Sequence, residues 1–185
     1  MTRAEAWSIL TEFTASDSLR KHALAVEAAL RHYAAYFGED AELWGLTGLL
    51  HDFDYERWPN PPEHTRAGAP ILTARGVNQE IVSAILSHAE WNRADYPLDR
   101  PLRRTLSAVD EFCGFITAVA YVRPEHLTGL TAASVRKKMK QKAFAAAVSR
   151  EDLERGAELV GLPLDDNIQH VITAMQGISR ELGFS

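Results

Sequence analysis

Residues 43–52 read Leu43-Trp44-Gly45-Leu46-Thr47-Gly48-Leu49-Leu50-His51-Asp52. An apolar run with helical spacing closes on an imidazole and a carboxylate. Apolar residues three and four apart mark a helix face turned to a core, so the spacing predicts a helix over about 40–51. Polar groups delivered to the edge of a core are costly unless something compensates them. Asp52 is the informative half of the pair. A histidine at a helix C-terminus meets the negative end of the dipole favourably, whereas a carboxylate there is disfavoured. Asp52 therefore asks for a cation.

Four more polar residues share this predicament. His22 lies between Leu19 and Val26 on a predicted helix over 18–37, capped by Ser16-Asp17 and ended at Gly38. The apolar face of that helix is Leu19, Ala23, Val26, Leu30, Tyr33 and Phe37. His64 opens a predicted helix from near Glu63 to Gly76, with Gly68, Ile71 and Leu72 on its own face. His88 follows Ile81 and Ile85 in a predicted helix over 79–89 that Asn78 caps. Asp110 stands mid-helix, with Leu106 four residues before it and Cys113 three after, in a helix opened by Pro101 and running to about Tyr121. Aspartate is a poor residue there, and no lysine or arginine on that helix is spaced to neutralise it. Taken alone, His22 reads better as a core histidine with one backbone partner, and His88 has the same alternative. One shared metal site would compensate all six residues, His22, His51, Asp52, His64, His88 and Asp110, at once. A mixed imidazole and carboxylate set suits Fe or Mn first, with Zn, Ni or Co also compatible, while Mg and Ca prefer oxygen alone.

Helical periodicity governs the rest of the chain. A short first helix is expected over 3–13. Trp58-Pro59-Asn60-Pro61-Pro62 cannot be regular helix, and 90–100 reads as a loop. After Arg123-Pro124 the segment Thr131–Val148 is basic, Ser149-Arg150-Glu151-Asp152 offers a cap, Gly161-Leu162-Pro163 breaks the chain, and Asp166-Asn167-Ile168-Gln169 starts a last helix. No alternating strand pattern with hairpin turns occurs. The expected fold class is all-α: a metal-binding helical domain over 1–125 and a helical C-terminal extension, 126–185, packed on it. His32 is assigned to the surface, His126 to a loop and His170 to the last helix.

The chain has 185 residues, is 46% hydrophobic and 24% charged, and carries a net charge of −5, which suits one globular unit and argues against a partner as large and anionic as a nucleic-acid duplex. The N-terminus has no secretory pattern and no apolar run reaches membrane-spanning length. The single cysteine, Cys113, fits a reducing compartment, so a cytoplasmic protein without a membrane partner is expected.

The order of these residues resembles the HD superfamily of metal-dependent phosphohydrolases, whose pattern is a histidine on one helix, a His-Asp doublet and a later aspartate: here His22, His51-Asp52 and Asp110. The extra histidines, His64 and His88, match its dinuclear branch, and His64-Thr65-Arg66-Ala67-Gly68-Ala69-Pro70-Ile71-Leu72 is similar to the His-x-x-x-Gly-Ala-x-Ile-Leu stretch of that branch. The resemblance covers about 17–125. It implies an HD-type helical bundle with two divalent ions: His22, His51 and Asp110 on one, His64 and His88 on the other, Asp52 on both, and a bridging hydroxide as nucleophile towards a small phosphate ester or nucleotide. The doublet continues Phe53-Asp54-Tyr55-Glu56 where many relatives have Ile-Gly-Lys, so that lysine is missing here. The Gly-Tyr-Pro motif of cyclic-di-GMP phosphodiesterases is also absent.

Asp54 and Glu56 follow the doublet and are candidates to orient water or protonate a leaving oxygen, or else are solvated loop carboxylates. Arg57 and Arg66 are candidate phosphate contacts. Lys137 and Lys138 lie in the basic run Arg136–Lys142, a candidate steering rim or simply a solvated helix face. Two other functions share the ligand set: an HD-fold di-iron oxygenase, and a non-catalytic HD binding or regulatory module.

Overall fold

In the computed structural model, which describes residues 1–184, the His-Asp doublet stands at the end of a helix held tightly against its predecessor. That predecessor, α2 (Asp17–Phe37), starts where the Ser16 hydroxyl accepts a hydrogen bond from the Leu19 backbone N–H. It buries Ala23, Val26, Leu30 and Tyr33, while Leu19 is half-buried and Phe37 exposed. The following helix, α3 (Ala41–Leu50), is capped by Asp40, whose carboxylate accepts from the N–H groups of Glu42 and Leu43. The two helices form the most extensive pairing in the molecule. Gly48 allows it: a Cβ there would stand 2.8 Å from the Glu27 Cα and N atoms and the Val26 carbonyl carbon. Glu27 is buried on the same seam, where Arg3 (2.7 Å) and Arg31 (3.0 Å) pair with it.

The other elements assemble around this pair. Helix α1 (Arg3–Phe13) carries a capping box between Thr2 and Glu5 and packs on α3. The turn α4 (Glu63–Arg66) and helix α5 (Gly68–Ala74) lead to α6 (Gln79–His88), capped by Asn78. A 3₁₀ turn, Glu90–Asn92, follows. Helix α7 (Pro101–Tyr121), with proline at its first position, then crosses both α2 and α6. The helices α8 (Ala132–Met139), α9 (Arg150–Val160) and α10 (Leu164–Gly177) complete the chain. Helix α9 lies along α7, and α10 along α2. The described residues form helices and turns and no strand, so the molecule is an all-α bundle. None of its helices is long and apolar enough to cross a membrane.

Two apolar clusters fill the interior. One runs from α1 and α3 to α5 and α6, with Leu10, Leu49, Phe53 and Ile85. The larger joins α2 and α7 to the C-terminal helices, with Leu30, Phe112, Phe115, Leu153 and Ile172. Helices α2 and α6 carry residues of both clusters.

The single helix expected over 63–76 is broken. His64 (φ −52°, ψ 132°) and Thr65 (φ 66°) leave helical geometry before α5 begins. A β-branched residue in the left-handed region is strained and needs outside support. Asp54 supplies it, accepting from the backbone N–H groups of Thr65 (2.9 Å) and Gly68 (3.0 Å), while the Thr65 hydroxyl accepts from Asn92 at 2.8 Å. The last helix begins at Leu164, directly after Pro163, because proline needs no hydrogen-bond partner for its nitrogen at a helix start.

Candidate metal centre

Three imidazoles reach the centre with the tautomer already set. His51 is fully buried at the end of α3, and its Nδ1–H donates to the Gly48 carbonyl at 2.8 Å. His88, at the end of α6, donates its Nδ1–H to the Ile85 carbonyl at 2.7 Å. His64 donates its Nδ1–H to the Asp54 carboxylate at 3.1 Å. In each case the proton on Nδ1 leaves Nε2 as the basic nitrogen, aimed inward. A histidine whose remote N–H is held by a carbonyl or a carboxylate is the usual presentation of a metal ligand.

The Nε2 atoms converge on two carboxylates. His64 and His88 both stand 3.2 Å from Asp52 Oδ1, and 3.4 Å from each other. The other oxygen of Asp52 lies 3.5 Å from His51 Nε2. Asp110 Oδ1 lies 2.9 Å from His22 Nε2 and 3.4 Å from His51 Nε2. Two trios, His22–His51–Asp52 and Asp52–His64–His88, each keep their ligand atoms within 4.8 Å of one another, with Asp52 common to both. Asp110 joins the first.

Basic nitrogens and carboxylate oxygens this close repel unless a proton or a cation lies between them. Buried and without a hydrogen-bond partner, His51 Nε2 and Asp52 Oδ1 mark where it belongs. Nitrogen and oxygen ligands about 2.1 Å from one ion stand roughly 3.0–3.4 Å apart in tetrahedral or octahedral shells, which is the spacing here. The donor set fits a transition metal. Without metal, protons fill the role. Burial alone would lower the pKa of His51, but the negative field of Asp52 and Asp110 overcomes it and raises it to about 9. His64 is raised to about 9 in the same way by Asp52 and Asp54. Burial works against ionisation of Asp52 and Asp110, yet the facing imidazoles hold both below the usual carboxylate range. Glu111, beside Asp110, is pushed up to about 7 by burial and then by its neighbour's charge.

The site opens into a cleft of about 400 Å³, with Tyr55 and Trp91 at its edge and Glu111 within. Both aromatic rings meet His64 edge-on, at 5.2 and 6.1 Å between centroids.

The helical geometry thus gathers His22, His51, Asp52, His64, His88 and Asp110. The residues singled out for substrate and proton transfer are placed differently. Asp54 is fully buried behind His64 and is occupied by Thr65, Gly68 and His64. Gly68 is required there, because a Cβ would come within 2.6 Å of Asp54 Oδ2. Glu56 turns away from the mouth and accepts from the backbone N–H groups of Ala15 (2.6 Å) and Ser16 (3.1 Å), tying down the start of α2. Arg57 lies over the Phe13 ring at 3.9 Å and donates to the Glu12 carbonyl. Arg66 donates to Asn92 at 2.5 Å and borders a different groove, along α5 and α6. On α8, Lys137 is exposed and Lys138 lies over the Phe144 ring at 4.8 Å; neither lines the cleft. The chain after a helix end turns irregularly, so the 3.6-residue period gives no direction for residues 53–57. Histidine 32, assigned to the surface, is half-buried and pairs with His170, Nε2 to Nδ1, at 2.8 Å.

The HD domain family matches residues 19–113, just over half of the chain. This chain belongs to the HD-domain family. Most members of that family are metal-dependent hydrolases, and the histidine and aspartate groups described above are compatible with metal binding. No curated protein and no solved structure matches the chain. The matched segment ends inside α7, so it contains all six converging residues and none of α8, α9 or α10. A cavity beside the cleft is lined by residues that sequence reasoning missed: Arg93 from the loop after α6, Glu111 from α7, and Asp152 and Arg155 from α9. Glu111 was legible in principle, as a second carboxylate beside Asp110. For the other three no local pattern distinguishes them from solvated charges.

Proposed function

We propose that the protein hydrolyses a phosphate ester with two divalent transition-metal ions, Fe or Mn first, held by His22, His51, Asp52 and Asp110 on one side and by Asp52, His64 and His88 on the other. One observation carries the reading: two trios of ligand atoms share Asp52, and two of the buried atoms between them lack any partner. Bound divalent ions would supply an activated water and polarise the phosphoryl oxygens. Asp52 presents one oxygen to each trio and so fixes their relation. Asp54 orients His64, and the carbonyls of Gly48 and Ile85 orient His51 and His88. In the reaction the water oxygen bonds to phosphorus, the ester P–O bond breaks, and the leaving oxygen takes a proton. A cleft of about 400 Å³ on a chain of net charge −5 suits a small phosphorylated molecule in the cytoplasm rather than a nucleic-acid duplex or a membrane surface.

The test is elemental analysis of protein purified after Fe or Mn supplementation, followed by a panel of phosphate monoesters, diesters and nucleotides with oxygen uptake monitored in parallel. Close to two metal equivalents and release of phosphate are expected. Asp52→Ala should abolish turnover while keeping the helical circular-dichroism signal. Protein that holds no metal overturns the proposal. Oxygen uptake on the panel without phosphate release would make the protein an oxygenase of the same fold, and two bound metals with no turnover would make it a binding module.

A further inference from the structure

Beside the metal cleft lies a second, more enclosed cavity of about 180 Å³, which shares His88, Glu90, Asp110 and Glu111 with it. Helix α9 contributes Asp152, Arg155 and Leu159 to its lining. That helix lies outside the segment matching the HD family. Resting on the hydrolase reading above, we propose that this cavity receives the leaving group of the substrate, and that the leaving group is a small polyhydroxylated alcohol, a polyol or monosaccharide.

The lining selects that chemistry. It is lined by both donors and acceptors. Arg93 hydrogen-bonds only neutral oxygens, the carbonyls of Ser87 (3.4 Å) and His88 (3.3 Å) and the hydroxyl of Ser107 (3.3 Å). Among the described residues no carboxylate pairs with it, so this half-buried guanidinium retains donor capacity for a ligand. Arg155 and Asp152 pair at 2.8 Å and stand half-exposed, one a donor and the other an acceptor. Glu111 and Glu90 add carboxylates. A hydroxyl both donates and accepts, whereas a second anionic group can only accept and an ammonium can only donate. An anionic leaving group would meet the carboxylates of Glu90, Asp110, Glu111 and Asp152, and an ammonium would meet two guanidinium groups. Vicinal hydroxyls satisfy both sets. Leu159 is the one aliphatic side chain in the lining, which leaves no apolar wall for a purine or pyrimidine.

Two measurements separate this proposal from the hydrolase reading. The first compares kcat/KM of the metal-loaded protein for glycerol phosphate, sugar phosphates and myo-inositol phosphate with that for methyl phosphate, whose leaving group has no further hydroxyl. The polyol esters should be preferred, and Asp152→Asn and Arg155→Ala should each shrink the preference about tenfold. Both positions are half-exposed on a helix surface, so the variants keep the fold. The second records saturation-transfer NMR of glycerol, ribitol and myo-inositol on the metal-free protein, with nucleosides as competitors. Polyol signals that disappear in Arg155→Ala support the cavity even if no phosphate ester is turned over, which would sink only the hydrolase reading. Turnover with no preference for hydroxylated leaving groups, or a preference unmoved in both variants, overturns the proposal. So does saturation of nucleosides without polyols, which would move the leaving group to the Tyr55 and Trp91 rim.

Discussion

Asp54 follows the doublet by two residues and serves it from behind. Its carboxylate takes two backbone N–H groups and the remote proton of His64, so it shapes a ligand that it does not accompany into the cleft. Loss of such a supporting carboxylate typically costs roughly 10–100-fold in metal affinity. Asp54→Asn should therefore release one metal equivalent to a chelator at a concentration that leaves the other in place, with the helical signal intact. Equal release of both, or of neither, contradicts this role. His51 and His64 give a pH signature of their own. In the metal-free protein both sit at about 9 against an ordinary 6.5. A group raised on folding stabilises fully below its unfolded pKa and loses that contribution as pH climbs through the folded one. The metal-free protein should thus lose thermal stability between pH 6.5 and about 9. Metal takes the neutral imidazole, so loading at about pH 7.5 should release protons, and affinity should tighten as pH rises toward 9. Calorimetry in two buffers of different ionisation enthalpy reads the release directly; heats identical in both buffers would contradict it.

At the scale of elements the α2–α3 seam decides where the doublet stands. Gly48 touches the backbone of α2 and lies three residues before His51, whose ring it also anchors through its carbonyl. Gly48→Ala should push the helices apart at a cost of about 1–3 kcal/mol, which lowers Tm by roughly 2–12 °C for a chain of this size. Because the His51 anchor moves with the seam, metal occupancy should fall too. Differential scanning calorimetry and metal analysis on the same preparation check both; an unchanged Tm would mean that the seam gives way without strain. The break between α4 and α5 works the other way. A continuous helix would commit the Gly68 backbone N–H to the His64 carbonyl and take it from Asp54. The kink at Thr65 is the form in which His64 meets Asp52 and Asp54 together.

For the whole molecule the larger apolar cluster is continuous from Ala25 on α2 to Phe184 near the C-terminus. Helix α9 covers α7, and α10 covers α2. A fragment ending at residue 125 would expose the faces of Phe115, Ile116 and Val119 that the last three helices help bury. We expect the full chain to unfold in a single transition, and the fragment to be aggregation-prone and metal-free. A soluble fragment that binds metal with native affinity would show instead that residues 1–125 stand alone. The same geometry explains why a helix outside the family segment lines the cavity beside the cleft: it packs on α7, which carries Asp110 and Glu111.

Helices α1, α2, α3, α6 and α7, the caps at Ser16 and Asn78, and the order in which histidines and aspartates arrive are legible in the sequence. Ser16, Asp40, Asn78 and Pro101 act within a turn of their own position, and the 3.6-residue period states which face of each helix is buried. That was enough to group His22, His51, Asp52, His64, His88 and Asp110 and to place the chain among HD domains. Only the tertiary structure decided what surrounds them. The direction of Asp54, Glu56 and Arg57 depends on the irregular path after α3, where no period operates, and the broken turn at Thr65 depends on a carboxylate eleven residues earlier in the chain. Arg93, Asp152 and Arg155 meet at one cavity because α9 packs on α7, a long-range apolar contact that carries no trace in the local pattern of charges.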